Sequence, residues 1–246
     1  MDIFRPKGKD GETLPVIVDV HGGGMIIGNK EFNRYFCAVI SAMGYLVFSV
    51  EYRLVPDVQV YEQFADLSAA MDHIRKLIPE YSGDPGQVYA IADSGGAYLL
   101  TYSIAMQRSK ALAAAAHVTP TVLKVNALGL ISGMFYTSRF DKIGIFLPRY
   151  LYGKNYKKSA FAPYIDPEHP DIVTSLPPCY LITSHDDMLR HYTLNFEKAL
   201  TKHGVVHELV DYPKDPRLTH AFSVFYPFLP ESTDAITSML RFLRSY

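Results

Sequence analysis

The sequence predicts an α/β protein: a mostly parallel central sheet with helices on both faces. Two features of the chain point there. Short, nearly continuous apolar runs recur along it, and longer stretches of helical period lie between them. Unbroken apolar runs are what strands covered on both faces require. Tight turns of small residues directly after two of the runs place polar groups at a carboxyl edge of that sheet.

The strands are expected at Val16 to Val20, Tyr45 to Val50, Gln87 to Ile91, Val125 to Ile131, Cys179 to Thr183 and Val205 to Val210. Between the second and third, Val60, Phe64, Leu67, Met71, Ile74 and Ile78 recur at intervals of three and four. That spacing draws one stripe down a helix that packs on the sheet and ends near Pro79. An apolar helix is expected over Ala97 to Leu112. A C-terminal helix carries Ile236, Leu240 and Leu243 on one face, with Ser232 or Thr233 as N-cap.

Phe135 to Pro178 breaks the rhythm. It is too long for a plain crossover and carries Tyr136, Tyr150, Tyr152, Tyr156 and Tyr164 with several prolines. It is read as an inserted cap or lid (about 135–178) on one domain spanning 1–246, because long connections in compact domains are more often functional than idle.

Composition sets the function classes. Hydrophobic residues make up 48% and charged residues 20% of the 246, an ordinary globular mixture able to bury a large core. A formal net charge of −1 offers no overall field for nucleic acid or an anionic membrane surface, so the expected partner is a small molecule. Cys37 and Cys179 sit among apolar neighbours and read as buried thiols, with no metal site. No apolar run approaches the roughly 20 residues of a membrane span, and Met1 to Pro6 lacks a signal-peptide core, which gives a cytoplasmic expectation. Oligomeric state is left open, a homodimer included.

The chemistry starts at Ala92-Asp93-Ser94-Gly95-Gly96, directly after the strand Gln87 to Ile91. A serine on such a strand-to-helix turn is held out above the sheet edge, and the helix N-terminus behind it favours a developing anion. Taken alone the segment is equally an ordinary capped turn. His21-Gly22-Gly23-Gly24 follows the first strand and brings a loop free of side chains to the same edge, where backbone N–H groups converge on an oxyanion. A phosphate cradle is disfavoured, since neither GxGxxG nor the P-loop lysine pattern is present.

A serine hydroxyl needs a base within hydrogen-bond reach and an acid to orient that base. Ser184-His185-Asp186-Asp187 supplies carboxylates at a strand end, and Thr219-His220-Ala221-Phe222 supplies an imidazole after the last strand. His185 and His191 compete beside the carboxylates. The order serine, aspartate, histidine favours His220.

With these pieces the chain resembles the hormone-sensitive-lipase-like branch of α/β hydrolases, the bacterial family IV esterases. The resemblance rests on His21-Gly22-Gly23-Gly24, on Tyr52-Arg53-Leu54-Val55-Pro56-Asp57 where the family has YRLAPE, on Asp93-Ser94-Gly95-Gly96 where it has GDSAGG, and on Asp187-Met188-Leu189-Arg190 where it has a DPLRD-like stretch. It implies an α/β-hydrolase fold, Ser94, Asp187 and His220 as catalytic triad, with Asp187 chosen over Asp186, and Gly23, Gly24 and Gly95 as oxyanion donors. It implies no metal and no organic cofactor.

Three departures stand out. Ala92 replaces the first elbow glycine, Gly95 replaces an alanine, and Met25 stands where relatives have an aromatic residue. Met25, Tyr136 and Tyr150 are accordingly expected to line the substrate pocket. The expected activity is hydrolysis of small or short-acyl carboxylic esters, acetylated sugars or aromatic esters among them, because no hydrophobic lid helix is evident. A peptidase or amidase on the same fold, and a non-catalytic ligand-binding relative, are the alternatives.

Overall fold

The computed structural model describes residues 1–246. In chain order its elements are β1 (Asp2–Phe4), β2 (Leu14–Val20), α1 (Arg34–Ala42), β3 (Leu46–Val50), α2 (Val60–Glu80), β4 (Gly83–Asp93), α3 (Ser94–Met106) and α4 (Lys110–Ala116). There follow β5 (Leu128–Ile131), α5 (Lys142–Tyr152), α6 (Pro170–Val173), β6 (Cys179–Ser184), α7 (Arg190–Lys202), β7 (His207–Tyr212), α8 (Phe222–Phe225) and α9 (Pro230–Leu243). The seven strands form one sheet in the order β1-β3-β2-β4-β5-β6-β7. Every neighbouring pair is parallel except β1 with β3.

Strand alternation divides the core into two layers. Val16, Val18, Val20, Leu46, Phe48, Val88, Ala90, Leu128 and Leu181 face one side, packed with α2, α3 and α7. Ile17, Val47, Tyr89, Ile91, Tyr180 and Ile182 face the other, packed with α1 and α9. Both faces are covered, as the apolar runs require. No helix is long and apolar enough to cross a membrane.

Several expectations are corrected. Asp2–Phe4 is a strand, too short to signal itself, and its three residues pair with β3 to form the edge of the sheet. The helix expected over Ala97 to Leu112 is two helices: the turn after Met106 breaks it, and the Ser109 side chain caps the second by accepting the Leu112 N–H at 3.2 Å. The last strand starts at His207, because Val205 still donates back to Leu200 and closes α7. In α9 Leu229 is the N-cap and Pro230 the first residue, where its missing N–H costs nothing; Ser232 is buried inside the first turn. Residues 135–178 hold α5, which carries Ile145, Phe146 and Tyr150 exposed on its outer side, so an apolar helix is present where none was evident.

Candidate active site

Ser94 opens α3 directly at the end of β4 with φ 48°, a left-handed conformation that a serine adopts only when the surrounding turn imposes it. The turn presses against the glycine loop. A Cβ on Gly96 would lie 2.3 Å from the Val20 carbonyl oxygen, and one on Gly22 would lie 2.2 Å from Asp93 Oδ2. Small residues are therefore demanded by contact, as well as by turn geometry.

The structure brings Ser94, His220 and Asp187 together. Ser94 Oγ lies 2.9 Å from His220 Nε2, and Asp187 Oδ1 lies 2.7 Å from His220 Nδ1. With Nδ1–H donating to the carboxylate, Nε2 is left to accept the serine proton. Asp187 Oδ1 also accepts the Leu189 N–H at 2.8 Å, and its Oδ2 accepts the Thr183 hydroxyl at 2.9 Å. Burial alone would raise this carboxyl, but the hydrogen bond and charge of His220 and the Leu189 N–H outweigh it and hold Asp187 below the usual carboxylate range. Asp186 points away to the half-exposed His185, 3.1 Å off, and His191 packs on the Tyr192 ring.

The glycine loop is fixed from below. The Gly22 N–H donates to Asp93 Oδ1 at 2.9 Å, and Tyr52 Oη donates to the His21 carbonyl at 2.8 Å while its ring stacks on His21 at 4.4 Å. Gly23 and Gly24 adopt φ 102° and 62°, and neither N–H donates to any group of the chain. Gly95 is packed against Gly24: a Cβ there would lie 2.9 Å from the Met25 N and 3.0 Å from the Gly24 N. This contact leaves little room for a side chain at residue 95, where the GDSAGG pattern of the resembled family has alanine.

The substrate-pocket expectations divide. Met25 is corrected: φ 68° turns its side chain into the core, where it is fully buried, and its carbonyl accepts from Val55 N–H and Gln63 Nε2. Tyr136 is corrected too, being buried with its hydroxyl on Glu168 at 2.7 Å and the Arg139 guanidinium over its ring. Tyr152 is likewise buried, bonded to Tyr98 and Thr137. Tyr150 does line a groove of about 320 Å³ beside the glycine loop, together with Gly24, Ile26, Met134, Ile143 and Phe146.

Other residues carry no motif in the sequence. Asn33 Nδ2 donates to Asp19 Oδ1 at 2.9 Å and to Asp93 Oδ1 at 3.0 Å, joining two buried carboxylates. Ser132 Oγ accepts the Ala221 N–H at 3.0 Å and steadies the loop that carries His220. The signal for Asp19 was a charged residue inside an otherwise apolar strand; Asn33, among polar neighbours, offered none. Ser132 offered none.

Fold and site together define the class: a doubly covered parallel sheet bearing a serine, an imidazole and a carboxylate in hydrogen-bonded series at its carboxyl edge. A family model described as alpha/beta hydrolase fold matches residues 17–223, and the chain belongs to that family. The resemblance to its hormone-sensitive-lipase-like esterases, drawn from the motifs, is borne out.

The chain is 26% identical to carboxylesterase NlhH of Mycobacterium tuberculosis, over 91% of this chain and 71% of that protein. It is also 26% identical to a probable isoprenylcysteine alpha-carbonyl methylesterase of Arabidopsis thaliana, over 76% of this chain but 41% of that protein; of a rice relative of the same description it spans 50%. Among solved structures, esterase B from Lactobacillus rhamnosis, in a crystal structure described with a tributyrin phosphonate, superposes with TM-score 0.91 at 25% identity, covering 99% of this chain and 79% of that one.

Proposed function

We propose that the chain is a serine carboxylesterase acting on small or short-acyl esters. The observation that carries this reading is the continuous series from Ser94 Oγ through the His220 ring to Asp187, facing glycine N–H groups with no partner in the chain. Esterase names among the relatives support it. The roughly 320 Å³ groove beside Gly24 supports a small acyl or alcohol group.

Ser94 Oγ attacks the ester carbonyl carbon as His220 Nε2 takes its proton. The tetrahedral oxyanion is held by the N–H groups of Gly23, Gly24 and Gly95. The carbon–oxygen bond to the alcohol then breaks, and the alcohol leaves with the proton returned by His220. Water repeats the sequence on the acyl-serine, releasing the acid. Asp187 holds the ring in the correct tautomer and stabilises the imidazolium. The 135–178 insertion acts as the cap over this site.

A fluorophosphonate probe tests the reading. Covalent labelling abolished by Ser94→Ala, with p-nitrophenyl acetate turned over faster than long-chain esters, is the expected result. Labelling that survives Ser94→Ala overturns the assignment, and turnover rising steadily with acyl length overturns the short-acyl preference.

A further inference from the structure

Helix α5 presents two apolar faces. Leu147 and Leu151 are buried against the rest of the fold, as one stripe of an amphipathic helix should be. On the opposite side Lys142, Ile145, Phe146, Arg149 and Tyr150 follow one another at helical spacing and all face solvent. Ile145 is 55%, Phe146 70% and Tyr150 59% exposed. Just before the helix Phe140 is 98% exposed, the most uncovered large apolar side chain of the chain.

This apolar surface is cationic at its edges. Lys142, Arg149, Lys154, Lys157 and Lys158 are exposed, and none takes part in an ion pair. The carboxylates nearby are engaged: Asp141 caps α5 and accepts from Tyr192, and Glu168 takes Tyr136 and Arg139. A hollow of about 610 Å³ on the same segment is lined among others by Phe140, Ile145 and Lys157, with Asp166 its one acid. The net charge of −1, from which no membrane partner was expected, averages over this patch and conceals it.

We infer that the outer face of α5 with its flanks, Phe140 to Lys158, is a docking surface for an anionic lipid–water interface. Exposed aromatic and aliphatic side chains ringed by unpaired Lys and Arg fit the boundary between acyl chains and acidic headgroups. Phe146 and Tyr150 also line the groove beside Gly24, so docking sets the groove mouth against the lipid. Delivery of an ester from that interface rests on the esterase reading; the docking does not.

Sedimentation of the full chain with unilamellar vesicles tests it. Vesicles of equal parts phosphatidylcholine and phosphatidylglycerol should carry the protein down at low salt, and phosphatidylcholine alone should not. Lys157→Gln and Lys158→Gln should each weaken partitioning about fivefold, the factor for one cation near an anionic surface. Phe140→Ser should weaken it by at least about fivefold, by lost apolar burial. All three should leave turnover of soluble p-nitrophenyl acetate unchanged, which shows the fold intact. No sedimentation with the mixed vesicles, equal sedimentation with neutral ones, or a dimer in solution that Phe140→Ser dissociates overturns the proposal. Ester turnover has no bearing on these readouts, so the two readings fail separately.

Discussion

Asp93 accepts the Gly22 N–H at 2.9 Å, so the residue just before Ser94 holds the root of the glycine loop. One carboxylate oxygen thereby ties the turn that presents the hydroxyl to the loop that carries the proposed oxyanion donors, and Asn33 secures the same oxygen from the other side at 3.0 Å.

Asp93→Ala should therefore release the loop while leaving the relay in place. The oxyanion exists only in the transition state, so the loss is expected in kcat, about tenfold or more, with KM little changed. Steady-state kinetics on p-nitrophenyl acetate check this, and a loss confined to KM would contradict it. Leaving the Gly22 N–H and the Asn33 amide buried without partners should also cost about 1–3 kcal/mol for each group so stranded.

Gly95→Ala, the residue of the GDSAGG pattern, should be harmful here. The added methyl meets the backbone of Gly24 and Met25 at about 3 Å, and neither is the free end of a side chain. The loop must shift away from the donor it is paired with, and loss of one such donor is worth about 100-fold in kcat. A fall between about fivefold and about 100-fold is expected, with thermal unfolding close to that of the parent.

The mostly parallel sheet and most of its strands were legible because each strand is announced locally, and the three residues proposed as the relay were picked out the same way. Uninterrupted apolar runs mark doubly covered strands, and Ser94, Asp187 and His220 each follow one of them. Asn33, Asp19 and Ser132 were not, since each works through a partner far along the chain and belongs to no short pattern. Met25 was misplaced for a conformational reason: the left-handed backbone at φ 68° sends its side chain inward, and no composition argument reports φ. The break at Ser109 was hidden because both helices are apolar and the cap is one hydroxyl.

Asp187→Asn should lower kcat about 10⁴-fold with the fold retained, because the amide cannot impose the tautomer that leaves Nε2 free. Asp187 also sets part of the acid stability. Its carboxyl is held below the ordinary range in the folded chain, so the stabilisation is present above the unfolded value and is lost as pH falls through the folded one. Removing the carboxylate should flatten the acid limb of a plot of Tm against pH.

Asp19 acts in the opposite direction. It is fully buried, accepts from Asn33 and from Ser49 at 3.0 Å, and no lysine or arginine offsets it. Burial, with the neighbouring Asp93 charge, raises its carboxyl to about 7. The folded chain therefore keeps a proton that the unfolded chain gives up near the ordinary carboxylate value, so stability falls as pH climbs from about 4 to about 7 and levels off above. The full span is worth about 4 kcal/mol, or about 10 °C in Tm for a chain of this size. Asp19→Asn keeps an acceptor for Asn33 and a donor for Ser49 without a titrating group. Its Tm should gain on the parent steadily from about pH 4 to about pH 7 and level off above, and a difference that stays constant across that range would show that Asp19 holds no proton.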